Sequence, residues 1–374
     1  MLKRWGRRCA AFARKEAVLC IAAALAAASV FLRPPGPAYW EAVDWDTLAM
    51  LFSLMAVMQG FQKAGLFVWL GNRLLRRTHT TRTMLLALVF LPFVCSMVIT
   101  NDVALLTFVP FALVVLHMAG QDALVVPLVI LQTAAANLGS MLTPMGNPQN
   151  LYLYGRSGMS FGQFVGLMLP YAAVSAVCLA ALVLRCDALP VRAAPVQSTL
   201  APPRTLAVYA AGFGLCLLAL FGVLPPLAVM AVAAGFLLFY DRQVLARVDY
   251  ALLGTFVAFF IFIGNLGAVP AFRDWLAAVL EGHVVPVAVL ASQVLSNVPA
   301  ALLLSGFTGE WADLIVGCNL GGLGTLIASM ASLISYKFVA QSGAERRRGY
   351  LLGFTACNVG LLAVLLALYW LLHL

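Results

Sequence analysis

The sequence predicts an all-α polytopic membrane protein built from two repeats of inverted topology. Three observations support this fold class. The 374 residues are 63% hydrophobic and 10% charged, with a mean hydropathy of +0.98. The apolar residues form long runs that short basic clusters separate. Polar breaks interrupt four of these runs, and the breaks occupy corresponding positions in the two halves of the chain.

Composition excludes several other classes of protein. A soluble domain of this length cannot bury so large an apolar fraction. Lipid offers no partners to backbone polar groups, so the spans must be helices or a closed barrel. The apolar runs lack the alternation of barrel strands. The net charge of +9 comes from basic clusters in short loops, as the positive-inside rule produces. We therefore expect a lipid bilayer as partner, and no nucleic acid.

The basic loops give the predicted topology of the first helices. A basic N-terminal segment precedes an apolar stretch over residues 17–32, which favours a retained span with a cytoplasmic N-terminus; a cleaved signal peptide is the alternative. Residues 34–46 carry acidic residues without Lys or Arg and are predicted to be external. Residues 47–70 then return to a cytoplasmic loop containing Arg73, Arg76, Arg77 and Arg82.

The first predicted repeat occupies residues 1–185. Residues 83–118 carry a polar break centred on Asn101 and form either two short spans or a re-entrant hairpin. A broken helix over residues 124–157 crosses outward, and residues 161–184 cross back. The Pro-rich, polar segment 186–204 follows as a cytoplasmic linker.

The second half, residues 205–374, contains connecting helices and the second repeat. Apolar runs at residues 205–223, 227–240 and 251–266 precede an amphipathic piece near Trp275. A second hairpin over residues 284–307 has its tip at Asn297, and a second broken helix covers residues 311–338. A last span, residues 350–372, leaves the C-terminus outside. The total is about nine full spans plus two hairpins, or about 11 to 13 helices.

A duplicated motif relates the two halves. NLGSMLTPMGNPQNLYLY, residues 137–154, recurs in degenerate form as NLGGLGTLIASMASLISY, residues 319–336. In the predicted topology the first copy crosses outward and the second crosses inward. The repeats are therefore expected to be related by a pseudo-two-fold axis in the membrane plane, as in many secondary transporters.

The four breaks are the predicted substrate and ion site. A helix interrupted within a membrane exposes unpaired N–H groups, which favour anions, and unpaired carbonyls, which favour cations. Glycine and proline permit the interruption, while amides and hydroxyls supply neutral ligands. The alternative is that these residues are helix caps and interhelical hydrogen bonds. The candidate site residues are Thr100, Asn101, Asp102, Asn137, Gly139, Thr143, Gly146, Asn147, Pro148, Asn150, Ser296, Asn297, Pro299, Asn319, Gly321, Gly322, Thr325, Ser329 and Ser332.

Asp102 is the candidate coupling group. It is the one carboxylate deep in an apolar stretch, where a charge is costly and marks a functional site. It is predicted to take up a proton or to bind a cation; its alternative role is the N-cap of the second hairpin arm. The sequence carries no HExxH, GxSxG or P-loop motif. We expect no catalytic residues, no cofactor and no metal beyond a possible Na⁺.

The breaks resemble those of a known superfamily. TNDVALLTFVP, TPMGNPQN and SQVLSNVPAALLL are similar to segments of the ion transporter superfamily, which includes citrate–metal symporters, arsenical pump membrane subunits and divalent anion/sodium symporters. They are closest to the YbiR-type branch of inner-membrane permeases. In the sodium–dicarboxylate members each hairpin tip carries Ser-Asn-Thr. Here the tips read Thr100-Asn101-Asp102 and Ser296-Asn297-Val298, so the asparagines match and the third positions differ.

The resemblance implies a multi-pass protein of the bacterial inner membrane that works as a homodimer. It also implies an elevator motion of the domain that carries the hairpins. The expected function is secondary active transport of a small anion, such as citrate, a dicarboxylate, sulfate or an arsenite-like oxyanion, coupled to Na⁺ or H⁺. A Na⁺/H⁺-type cation antiporter is the alternative. A channel and a membrane-embedded enzyme are the weaker alternatives.

Overall fold

The structure is a computed structural model that describes residues 16–191, 196–340 and 344–374, without the side chains of residues 344–346. These residues form helices and turns, and their one β-type pairing is an isolated bridge between Thr80 and Pro190. The all-α prediction is therefore confirmed for this part of the chain. The basic N-terminal segment and Arg192 of the predicted linker lie outside the described residues.

The helices follow the predicted apolar runs. In chain order they are α1 (Ala17–Ser29), α2 (Pro37–Ala42), α3 (Trp45–Lys63), α4 (Leu66–Leu75), α5 (Thr81–Cys95), α6 (Asn101–Met118), α7 (Val125–Ser140), α8 (Pro148–Ser157), α9 (Phe161–Leu184), α10 (Pro203–Leu220), α11 (Pro226–Tyr240), α12 (Arg242–Leu245), α13 (Tyr250–Leu266), α14 (Pro270–Leu280), α15 (Val284–Leu295), α16 (Asn297–Ser305), α17 (Trp311–Leu320), α18 (Met330–Ala340) and α19 (Ala344–Leu372). Two 3₁₀ turns, Asp122–Leu124 and Pro144–Gly146, flank α7.

Several helices are long and apolar enough to cross a membrane. Within the described residues they are α6, α7 with its preceding turn, α9, α10 and α19, which makes 5, or up to 7 if two bent pairs are each one span. The arms α15 and α16 have 12 and 9 residues, well below the roughly 20 that a span needs. Their lengths favour a re-entrant second hairpin. The total number of spans and their orientation stay predictions.

The predicted span over residues 47–70 consists of two helices with a bend between them. α3 ends at Lys63, α4 begins at Leu66, and their axes differ by 55°. Gly65 between them has a φ of 76°, a conformation that glycine adopts without penalty. A Cβ at this position would lie 2.6 Å from the Thr199 carbonyl oxygen. The sequence carries a signal at this bend, the polar residues Gln62 and Lys63 of the GFQKAG interruption, which the prediction of one span did not use.

The described parts of the predicted linker pack against the first half of the chain. Residues 186–191 and 196–201, here called the strap, form backbone and side-chain hydrogen bonds with it. The Thr81 N–H donates to the Leu189 carbonyl at 2.8 Å. The Asn72 side chain donates to the Val196 carbonyl at 2.8 Å and accepts from the Val196 N–H at 2.9 Å. Hydrogen bonds thus fix both described parts of the strap, at Leu189 and at Val196, to the first half of the chain.

Packing divides the chain into two compact units. The first contains the described residues up to Ala56, with Gly214–His283 and Leu302–Gly309; the second contains Val57–Phe213, Val284–Ala301 and the described residues from Glu310. Each unit draws on both predicted halves. The units follow packing whereas repeats reflect sequence duplication, so the division into two repeats stays a prediction.

Each unit has its own core. In the first unit α1 packs along α13, and the buried Asn265 amide donates to the Ser29 hydroxyl at 2.9 Å and to the Tyr39 hydroxyl at 2.8 Å. In the second unit α5 packs along α7, and α15 packs along α17. These two pairs are equivalent in the predicted repeats, since each joins a first hairpin arm to the first segment of a broken helix.

Candidate functional site

All candidate site residues lie in the second unit, where four helices are interrupted. We call residues 96–100 tip 1, residues 141–147 break 1, residue 296 tip 2 and residues 321–329 break 2. α6, α8, α16 and α18 each begin directly after one of these interruptions. The unit thereby brings four helix N-termini, with their free N–H groups, to the predicted site residues.

Tip 1 is bonded to the helix that leads into break 1. The Asn101 side chain donates to the Asn137 amide oxygen at 2.8 Å, and the Thr143 hydroxyl donates to the Met97 carbonyl. Gly139 packs so closely against the end of α5 and the start of tip 1 that a Cβ would lie 1.9 Å from the Phe93 carbonyl oxygen and 2.7 Å from the Ser96 hydroxyl oxygen. Glycine is therefore required for this close approach.

Tip 2 and break 2 are joined mainly by Gln293, one turn before the tip. Its Nε2 donates to the carbonyls of Gly321 at 3.0 Å and Leu323 at 2.9 Å, and its Oε1 accepts from the Thr325 N–H at 2.9 Å. One side chain therefore satisfies three backbone groups that the helix interruption leaves unpaired. At the tip, the Asn297 N–H donates to the Ala328 carbonyl at 2.9 Å.

Ser296 makes tip 2 conformationally unusual. Its φ is 76°, the one positive value among non-glycine residues in the described chain. Such a conformation costs about 1 to 3 kcal/mol and persists where the surroundings enforce it, often at functional sites. The equivalent residue of tip 1, Thr100, has an ordinary φ of −66°. The two tips therefore differ in backbone although both place an asparagine next.

The two motif copies contact each other reciprocally. The Asn319 side chain donates to the Asn150 amide oxygen at 2.7 Å, and the Asn137 side chain lies 3.5 Å from the Ser332 hydroxyl. Asn137 and Asn319 open the two copies, and Asn150 and Ser332 occupy the same later position in each. The opening residue of each copy therefore contacts the same later position of the other copy. A two-fold axis produces this reciprocal pattern.

Contacts within each half also repeat. The Thr143 hydroxyl bonds the Met97 carbonyl in the first half, and the Thr325 hydroxyl lies 3.5 Å from the Gln293 carbonyl in the second. Met97 and Gln293 each lie four residues before the tip asparagine, and Thr143 and Thr325 occupy the same position in the two motif copies. The repeated contacts support a duplicated architecture, although the orientation of each copy in a membrane stays a prediction.

A buried amide network surrounds break 1. The side chains of Asn147 and Asn150 both donate to Ser140, to its hydroxyl at 2.8 Å and its carbonyl at 3.3 Å. Asn319 joins the network through Asn150. Ser329 adds a hydrogen bond of 3.1 Å to the Asn137 amide oxygen. Each of these residues is less than a tenth exposed.

Several atoms around break 1 have no hydrogen-bond partner among the described residues. They are the amide oxygens of Asn147 and Asn319 and both amide atoms of Gln149. A buried polar atom without a partner costs about 1 to 3 kcal/mol, and native proteins normally satisfy such groups with water, an ion or a ligand. Amide oxygens and the carbonyls of an unwound helix are the type of oxygen donor that a hard cation takes.

Asp102 lies in the first turn of α6 and is half-buried. Its N–H donates to the Asn101 amide oxygen at 2.9 Å. The alternative role of N-cap is wrong, because Thr100 occupies the N-cap position and makes no side-chain cap hydrogen bond. A carboxylate in the first turn is nevertheless favourable with the helix dipole, by about 0.3 to 1 kcal/mol. The coupling role of Asp102 stays a prediction.

The remaining candidates shape the site rather than line it. Pro148 starts α8 and Pro299 lies in the first turn of α16, where proline is compatible with a helix. A Cβ on Gly146 would lie 2.1 Å from the Ser140 carbonyl oxygen, and one on Gly322 would lie 2.9 Å from the Asn297 amide nitrogen. Gly146 therefore needs to be glycine, because its neighbour is backbone, whereas the nearest neighbour of Gly322 is the end of a side chain, which can shift.

Sequence reasoning missed three polar residues of this region. Gln149 stands between two predicted ligands in GNPQN, and its position there is the signal that could have identified it. Gln293 is a lone polar residue in the apolar stretch before tip 2. Ser140 directly precedes break 1. Among the described residues, no group of three or more His, Cys, Asp or Glu side chains could hold a metal ion.

Sequence comparison with known proteins identifies the family of this chain. The sequence pattern of the citrate transporter family matches residues 9–308. Inner membrane protein YbiR of Escherichia coli is 35% identical over 315 residues, covering 82% of this chain and 83% of YbiR. An uncharacterized transporter of Methanocaldococcus jannaschii is 30% identical over 300 residues, covering 79% and 81% of the two chains.

A more distant match is the silicon efflux transporter LSI3 of rice, 32% identical over 132 residues, which cover 35% of this chain and 27% of LSI3. The predicted membership in the ion transporter superfamily and its YbiR-type branch is confirmed. The protein is a multi-pass inner-membrane transporter and not an enzyme. The chain belongs to the citrate transporter family.

Proposed function

We propose that the protein is a secondary active transporter that moves a small anion across the inner membrane, driven by Na⁺ or H⁺. The observation that supports this function most directly is the amide network at break 1. It is buried, it joins both motif copies, and it contains amide oxygens without partners among the described residues. A purely structural network would satisfy these atoms internally.

The two kinds of helix end in the site favour ions of opposite charge. α6, α8, α16 and α18 begin at the tips and breaks, and helix N-termini favour anions. The carbonyl ends of α7 and α17, together with neutral amide oxygens, favour a cation. A substrate anion is therefore expected near the N-termini, with the coupling cation nearer the amide oxygens.

The two breaks differ in how many of their polar groups are available to bind an ion. Gln293 already occupies the backbone groups of break 2, whereas the amide oxygens of Asn147, Gln149 and Asn319 around break 1 have no described partner. Break 1 is therefore the preferred place for a coupling Na⁺.

Proton coupling has separate support. Asp102 is a half-buried carboxylate beside Asn101, and such a group can carry a proton across the membrane. The same observation favours the second candidate function, a Na⁺/H⁺-type antiporter. The name of LSI3 describes efflux, so export as well as import falls within the proposal. As the family resemblance implies, the protein is further expected to be a homodimer.

Tracer uptake into proteoliposomes tests the function. We expect saturable flux of labelled citrate, succinate, sulfate or arsenite that collapses when one gradient, of Na⁺ or of pH, is removed. Exchange of monovalent cations for protons without any anion flux would contradict the anion proposal and support the antiporter.

A matched pair of variants tests the site. Gln149→Leu removes both partnerless amide atoms and is expected to raise the Na⁺ concentration for half-maximal transport by at least about tenfold, the factor that 1.4 kcal/mol gives. Asn358→Leu is the control, because Asn358 is an equally buried amide in α19 whose Nδ2 bonds within that helix and whose Oδ1 likewise has no partner among the described residues. Equal effects of the two variants would contradict a cation site at break 1.

A further inference from the structure

Two adjoining cavities near the predicted cytoplasmic end of α4 share Arg73. The first, of about 300 Å³, lies between α4 and the strap, and its walls include Trp69, Asn72 and Arg76. The second, of about 540 Å³, lies between α4 and α5. Its walls are apolar apart from Arg73 and Arg77, and they include Leu74, Phe90, Leu91 and Val94. A cavity whose walls carry two arginines and the polar side chains of Asn72, Gln197 and Ser198, here called the polar cavity, thus borders an apolar groove at Arg73.

The arginines of this region carry uncompensated charge. Arg73, Arg76 and Arg77 are exposed, and within the described part of the chain none of them forms an ion pair with a carboxylate. The Arg73 guanidinium lies 5.6 Å from the centre of the Trp69 ring, a cation–π distance that orients it. Planar guanidinium groups bind phosphate through paired hydrogen bonds.

The wall opposite the arginines is held in place. The Asn72 amide bonds the Val196 backbone in both directions and also donates to the Ser198 hydroxyl at 3.2 Å. These bonds fix the strap along α4, so the polar cavity exists before any ligand enters. A preformed site of this kind binds without a large ordering cost.

We propose that the two cavities form one binding site for an anionic phospholipid. Its phosphate diester lies against the guanidinium groups of Arg73 and Arg76, and one acyl chain follows the groove between α4 and α5. A soluble oxyanion would leave the apolar groove empty. A zwitterionic lipid brings a positive group towards three arginines, whereas an anionic headgroup supplies the net charge that they lack. Basic pockets at the cytoplasmic side of membrane helices are suited to such lipids.

Lipid titration of the purified, delipidated full-length protein tests the site. Native mass spectrometry compares dioleoyl phosphatidylglycerol with dioleoyl phosphatidylcholine and with glycerol phosphate, which has the same phosphate but no acyl chains. We expect phosphatidylglycerol to bind at least about tenfold more tightly than phosphatidylcholine, which corresponds to 1.4 kcal/mol. Glycerol phosphate should bind weakly.

Two variants and a control separate headgroup from chain. The double variant Arg73→Gln with Arg76→Gln should lose the preference for phosphatidylglycerol. The matched control, Arg242→Gln with Arg247→Gln, removes two arginines from another predicted cytoplasmic loop that lines neither cavity, and should keep the preference. Val94→Trp fills the groove from a position 55% exposed, so it should weaken phosphatidylglycerol binding at least about tenfold without unfolding the protein.

Three results would overturn the proposal. Equal affinity for the two lipids would show that net headgroup charge does not matter. An equal loss in the Arg73/Arg76 variant and in the control would assign the effect to general surface charge. Glycerol phosphate binding as tightly as phosphatidylglycerol would identify a site for soluble phosphate esters instead.

Discussion

The hydrogen bond between Asn319 and Asn150 allows a quantitative test of how the motif copies are joined. Its N···O distance is 2.7 Å and both residues are buried, whereas the equivalent contact between Asn137 and Ser332 is 3.5 Å long. Side-chain hydrogen bonds between membrane helices contribute about 0.6 kcal/mol on average and about 1.7 kcal/mol at most. We expect the contribution of the short bond to be near the upper value and that of the long bond to be below the average.

Double-mutant cycles measure the two contacts separately. The first cycle combines Asn319→Ala with Asn150→Ala, and the second combines Asn137→Ala with Ser332→Ala. Unfolding is followed in mixed micelles of a mild detergent and dodecyl sulfate, and the coupling energy is taken from the four free energies of unfolding. We expect about 1 to 1.7 kcal/mol for the first cycle and less than about 0.6 kcal/mol for the second.

A third cycle provides the control. Asn358 bonds within its own helix, so Asn319→Ala and Asn358→Ala should combine additively, within about 0.3 to 0.5 kcal/mol. A coupling energy for Asn319 and Asn150 no larger than this control would refute the reasoning, because the buried amide contact would then not join the copies. A larger coupling for the long contact than for the short one would refute it equally.

Three further predictions concern single residues. Asp102→Asn should abolish the stimulation of tracer uptake by an acid outer pH if protons drive transport; an unchanged pH profile would leave Asp102 a purely structural residue. Gly139→Ala should reduce the yield of folded, monodisperse protein in size-exclusion chromatography, since its Cβ would lie 1.9 Å from a backbone oxygen of Phe93, whereas Gly166→Ala, with nothing within 4 Å, should not. Gln293→Leu should lower the free energy of unfolding in mixed micelles by about 2 to 4 kcal/mol, because three backbone groups lose their partner; a loss below 1 kcal/mol would show that water replaces the side chain.

The helix positions and both breaks could be predicted because each has a local signal. Long apolar runs mark the helices, and the glycine, proline and asparagine residues of GNPQN mark break 1. The bend at Gly65 also has a local signal, because Gln62 and Lys63 interrupt the apolar run just before it. The close approach of Gly139 to tip 1 follows from the packing of α5 on α7, which periodicity does not reveal.

Residues that act across long sequence separations could not be predicted. Gln293 is one polar residue in an apolar helix until the fold places break 2 beside it. The strap is similar, because Asn72 bonds Val196 from 124 positions away. Gln149 differs from both: its neighbours were predicted ligands, and only its burial without a hydrogen-bond partner distinguishes it.

Gln293 has a consequence for the conformational equilibrium of the protein. If the two halves were identical and exchanged conformations, a two-fold rotation would relate the outward-open and inward-open states, and their free energies would be equal. The equivalent residue in tip 1 is Met97, which cannot form the three side-chain hydrogen bonds of Gln293. If the free energies of the two states differ by even one such bond, about 1 kcal/mol, the protein without substrate is mainly in one of them, open to one side of the membrane. A single glutamine would thus contribute to that resting preference before any substrate or ion gradient acts.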